Sequence, residues 1–207
     1  AEVSKKGYGD CKALTNYMRT LLTAAGIPSY YAVIYNDDSV IGFDKDFPKL
    51  SGNHVILMVP NEKNPIWLEN TSQRIAFNHL SYSSHNRNVL AVDENGIKII
   101  DTPVYQPEES KEFLSAKVQL AEDGTITSSA FFEFTGGQYD LNLRLFSLKN
   151  DEIQEALKSR HYNLQIDQVA VNNLVNNRDD VKITYDLILK AKGFSKKLGN
   201  DLFFPVM

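Results

Sequence analysis

Three residue types carry the chemistry this chain could do: one thiol, one imidazole and one carboxylate. The only cysteine, Cys11, ends the stretch "GYGDC" and stands where a helical pattern begins. A free cysteine is more often buried packing than a nucleophile. At a helix N-terminus, however, unpaired N–H groups and the macrodipole favour a thiolate and lower the thiol pKa. Gly7 and Gly9 would let the backbone turn sharply and let a substrate come close. The backbone N–H of Cys11 could then serve as an oxyanion donor.

A thiolate nucleophile needs a base and a group to orient the base. His54 opens the apolar run "HVILMV", where a histidine alone is more often structural. The following run, "IWLENT" (66–71), alters that reading. If the two form a hairpin across "PNEKNP" (60–65), Val59 faces Ile66 and Met58 faces Trp67. His54, Ile56, Met58, Trp67, Glu69 and Thr71 then share one sheet face, with Glu69 diagonal to His54. A slip of one residue would destroy this parity. A carboxylate among apolar neighbours needs a partner, and it would fix the tautomer of the ring. Asn70 is a rival for orienting His54, but alternation places it on the opposite face.

The elements that would hold these groups are legible in the pattern. Ala13, Leu14, Tyr17, Met18, Leu21, Leu22 and Ala25 recur at helical spacing, with Asp10 as N-cap and Gly26 as stop. The predicted helix covers about residues 11–25. Strands are predicted at 29–35, 53–59 and 66–71, and a hairpin joins 89–92 to 97–100. Residues 36–52 form a long loop of the kind that binds or covers substrate. The segment "DTPVYQPEESKE" (101–112) is a linker, so the chain divides into 1–102 and 103–207. In the second part, "FLSAKVQL" and "TITSSAFFEF" flank the turn "AEDG". A short helix is expected at 150–161, capped by Asn150, and a last strand at 182–189. The stripe Phe131, Phe132 and Phe134 reads as core of this β-rich part.

The fold class expected is α+β: a helix packed on an antiparallel sheet, then a mainly β domain with one short helix. Net charge is −4 with a pI near 5.6, so no basic surface suggests nucleic acid. One cysteine excludes an intramolecular disulfide and a Cys-based zinc cluster. No apolar run is long enough for a transmembrane helix, and no signal peptide is present. His79, His85 and His161 show no metal-ligand spacing and read as surface, as do Asp44 and Asp46. No metal, calcium loop or other cofactor is expected.

The segments "GYGDCKALTNYMRTLLTAAGIPSYYAVIY", "GNHVILMVP" and "IWLENTSQ" together resemble the transglutaminase-like superfamily. They are especially similar to large bacterial proteins in which such a core lies between two β-rich domains. In that family the cysteine follows Gly-Asp, the histidine lies in Asn-His-Val, and the acid lies in a Trp-Leu-Asp/Glu strand. The resemblance covers residues 7–75 and continues more loosely to the C-terminus, residues from about 103 resembling the downstream β-rich domain. It implies a papain-like core, Cys11 as nucleophile, His54 as general base and Glu69 as orienting acid. The substrate implied is a protein, peptide or other amide, hydrolysed or transferred to an amine. Periplasmic or secreted localisation is implied as well.

This chain departs from the family in two respects. Glu69 stands where most transglutaminases have Asp, and its longer side chain must approach His54 differently. Only ten residues precede Cys11, where the family has helices and a further domain, so the chain reads as an N-terminally truncated piece lacking an upstream domain. The other reading is a binding module for a peptide or cell-envelope partner, with a vestigial triad.

Overall fold

A computed structural model of the chain describes residues 2–37, 42–44, 46, 51–93, 95–160, 164–199 and 201–204. Most of the loop expected at 36–52 lies outside the described residues, as does His161. The architecture is α+β, with two antiparallel sheets and few helices. The chain divides into two compact units, Ala1–Pro107 and Glu108–Met207.

The first unit opens with α1 (Glu2–Lys6) and α2 (Cys11–Ala24). α2 begins because Asp10 takes an extended conformation and its carboxylate accepts from the Ala13 N–H at 2.8 Å. It ends in a Schellman turn: Gly26 has φ +74°, Gly26 N–H donates to Thr23 O, and Ile27 N–H donates to Leu22 O. Its inward face differs from the apolar stripe expected. Thr15 is the buried residue of α2, while Leu21 is 46% exposed.

The five strands that follow are β1 (Tyr30–Ile34), β2 (His54–Val59), β3 (Ile66–Leu68), β4 (Asn88–Asp93) and β5 (Gly96–Asp101). They form one sheet in the order β3-β2-β1-β4-β5. The β2–β3 register pairs Met58 with Trp67 and Val59 with Ile66. β3 stops at Leu68, three residues short of the run expected, so Glu69 and Asn70 leave the ladder just after the strand. One sheet face carries a core of Ala32, Ile34, Ile56, Met58, Trp67 and Val89, sealed by Leu80. Trp67 is 1% exposed at its centre. Trp67→Ala should therefore cost about 3–5 kcal/mol of stability. Chemical denaturation followed by circular dichroism would measure it, and a loss below 1 kcal/mol would contradict this packing.

The second unit contains β6 (Glu112–Leu120), β7 (Ile126–Thr135), α3 (Gly137–Leu143), α4 (Asn150–Arg160), β8 (Gln165–Asn177) and β9 (Lys182–Lys192). Its sheet runs β6-β7-β9-β8, and a small ribbon of β10 (Lys196–Leu198) and β11 (Asp201–Phe203) follows. Two helices stand where one was expected. α3 starts immediately after Gly136, whose φ of +57° and contact with the Glu109 carbonyl leave no room for a Cβ. Asn150 is the first residue of α4 rather than its cap; the Glu152 carboxylate reaches back to the Lys149 N–H at 2.7 Å. Phe132, Phe134 and Tyr185 stack in the core, but Phe131 is on the other face and 39% exposed. No helix among the described residues is long and apolar enough to cross a membrane.

Candidate active site

Alternation along β2 and β3 aims two polar side chains at one another. His54 Nε2 lies 2.8 Å from Glu69 Oε2, and the two side chains are 15% and 7% exposed. The other carboxylate oxygen of Glu69 accepts twice from Thr71, from the backbone N–H at 3.0 Å and the hydroxyl at 2.6 Å. Burial pushes the Glu69 carboxyl up, but the bond to His54, its charge and the two Thr71 donors together hold it below the ordinary glutamate value. An ionised carboxylate only accepts. The His54 proton must therefore sit on Nε2, which in the neutral ring leaves Nδ1 as the basic atom.

The entry to β2 is clamped so that His54 starts the strand. Asn53 Oδ1 accepts from the Asn36 N–H at 2.7 Å, and Asn53 Nδ2 donates to Asn36 O at 3.0 Å. These two bonds continue the β1–β2 ladder one step beyond the Ile34–His54 pair.

Cys11 is half-buried in the first turn of α2, behind the Asp10 cap. Gly7 has φ +73°, a left-handed turn that releases α1. Gly9 has a different reason: a Cβ there would press on Ala13 and Val3, so it permits close packing of α1 on α2. Among the described residues the hydrogen-bond partner of the His54 ring is Glu69, and no hydrogen bond joins Cys11 to His54. Thr15 ties the cysteine helix to both strands. Its hydroxyl donates to Val55 O at 3.1 Å and accepts from Asn70 Nδ2 at 3.2 Å. Val55 follows His54 and Asn70 follows Glu69, while Thr15 lies one helical turn, about 5 Å, beyond Cys11. Just past the end of β3, Asn70 bonds the Thr15 hydroxyl of α2 while Glu69 bonds His54.

Tyr31 also belongs to this region. Burial raises its phenol pKa, and the negative charges of Cys11 and Asp10 raise it further, so it remains a neutral hydroxyl. Sequence reasoning missed Thr15 and Tyr31, and it placed Thr71 on the shared face without its bonds to Glu69. The available signal for Thr15 was a polar residue one turn after Cys11 on an otherwise apolar face. For Thr71 it was a hydroxyl two residues after a carboxylate, a spacing that favours local bonding.

The other histidines have structural roles. His79 is buried, not at the surface, because its ring stacks on Tyr105 at 5.1 Å. His85 is half-buried and stacks on the same Tyr105 at 5.3 Å. Asp44 accepts from the Asp46 N–H at 2.8 Å in a local turn. Among the described residues no group of three or more His, Cys, Asp or Glu is placed to hold a metal.

The depressed pKa of Glu69 has a signed consequence. Its ionisation stabilises the fold fully above the unfolded-state glutamate value, about 4.3. That contribution is lost as pH falls through the lower folded-state value. Melting temperature should therefore fall more steeply in wild type than in Glu69→Gln between about pH 5 and pH 2. Parallel slopes in thermal scans would contradict it. No protein-family model, curated protein or solved structure matches the chain.

Proposed function

We propose that this chain carries the core of a transglutaminase-like enzyme of papain-like fold, acting on amide carbonyls through Cys11, His54 and Glu69. The observation that carries the reading is the 2.8 Å bond from His54 Nε2 to a buried, ionised Glu69. It leaves Nδ1 basic in a ring of fixed orientation, on a strand that Thr15 ties to the capped helix beginning with Cys11.

In this reading His54 Nδ1 takes the Cys11 proton, and the sulfur attacks the substrate carbonyl. The resulting oxyanion is received by the Cys11 backbone N–H at the helix terminus. His54 returns the proton to the departing amine or ammonia, leaving a thioester. Water or a second amine, deprotonated by the same ring, then attacks the thioester and frees Cys11. Glu69 stays ionised and stabilises the imidazolium in both halves. The substrates are proteins, peptides or related amides. Export to the periplasm or cell exterior goes with this reading.

A second reading, a peptide-binding module, is favoured by the missing hydrogen bond between Cys11 and His54. Catalytic bonds are often long before substrate is bound, so turnover separates the two readings. Ammonia release from a glutamine-containing peptide, with or without an added amine, should occur in wild type and be absent in Cys11→Ala. Peptide binding without turnover in both proteins would favour the module.

A further inference from the structure

The second unit contains a cavity of about 480 Å³ that the acyl chemistry does not use. We propose that it binds the C-terminal carboxylate of a peptide ending in an apolar residue, with Arg160 and Arg144 as the anionic subsite and Phe132 and Leu141 as the side-chain wall.

Arg160 is held in place before any ligand arrives. Its Nη2 donates to Asn142 Oδ1 at 2.9 Å. Asn142 is 1% exposed and is itself fixed by donating to Gln138 O at 2.8 Å. The Arg160 charge also acts on the buried Tyr185 hydroxyl, whose pKa it lowers. Both partners are uncharged, so the guanidinium keeps its full positive charge. Among the described residues neither Arg160 nor Arg144 is in an ion pair. Among the described residues Glu112 is the only acid lining the cavity, one carboxylate against two guanidinium groups.

The remaining walls distinguish an organic carboxylate from a simple anion. Phe132 is part of the core and Leu141 is 61% exposed at the rim, an apolar surface that phosphate would not use. Burial pushes the Tyr185 phenol up to about 12, against a lowering by Arg160. Its hydroxyl therefore keeps its proton near neutrality and can donate to an oxygen of the ligand. The planar guanidinium fork matches a carboxylate with two parallel bonds. The volume lies within the ordinary range of ligand pockets, roughly 300–1,000 Å³.

The test uses the full chain and a fluorescent tripeptide, Ala-Ala-Phe, labelled at its N-terminus. The free acid should bind, and its C-terminal amide should bind at least tenfold more weakly. Arg144→Gln and Arg160→Gln should each weaken the acid at least tenfold, with no effect on the amide. Arg144 is exposed and bonded to no described side chain, so its variant decides the matter if Arg160→Gln fails to fold. Cys11→Ala should bind the acid as wild type does, which separates this site from the acyl chemistry. Acid and amide binding within twofold of each other, no binding of the acid, or displacement by equimolar inorganic phosphate would each overturn the proposal.

Discussion

Replacing His54 with alanine is expected to lower amide turnover by roughly 10³–10⁶-fold. The imidazole is asked to do two jobs, removing the Cys11 proton and later protonating the leaving amine, and no hydrogen bond among the described residues offers Cys11 another base. Folding should survive. His54 is the first residue of β2, and the ladder there is held by Asn53 and Asn36 rather than by the ring. Glu69 would lose one partner but keep both Thr71 donors. Steady-state kinetics on a glutamine-containing peptide would measure the effect. A loss smaller than tenfold, with circular dichroism unchanged, would remove His54 from the reaction.

Glu69→Gln should be nearly as damaging while barely altering shape. The amide oxygen of glutamine can still accept from the Thr71 N–H and hydroxyl. Its NH₂ would then face His54 Nε2, where the wild type presents an acceptor. A donor there forces the ring proton onto Nδ1, the atom that must be unprotonated to act as base. The expected loss in kcat is on the order of 10⁴-fold, with KM changed little. NMR of the imidazole nitrogens should show the tautomer inverted. A variant with wild-type kcat, or with the ring proton still on Nε2, would contradict the role given to Glu69.

The β2–β3 hairpin was legible because two runs of strand-forming residues flank one short polar turn. Counting from "PNEKNP" pairs Met58 with Trp67, the register the structure shows. The same count aims His54 and Glu69 at each other and sends Asn70 the other way. What it could not supply was the link from α2. Thr15 is an isolated polar residue in a helical stripe, and its bonds to Val55 and Asn70 span 40 and 55 positions. β8 escaped detection for a related reason. Its sequence, "QIDQVAVNNLVNN", is largely polar, and two register shifts interrupt its alternation. α3 was hidden behind Gly136-Gly137, which reads as a turn, although only Gly136 needs the special conformation. His79 carries no local sign of burial, because Tyr105, on which it stacks, is 26 residues away.

The central claim is that His54 activates Cys11, and the most direct measurement is the pH profile of Cys11 alkylation by iodoacetamide. Cys11 is the only thiol in the chain, so the rate reports on one site. Wild type should react faster than a free cysteine at about pH 6–7. His54→Ala should slow the reaction to the rate of free cysteine. Alkylation no faster than free cysteine at any pH, with the two proteins indistinguishable, would contradict the account.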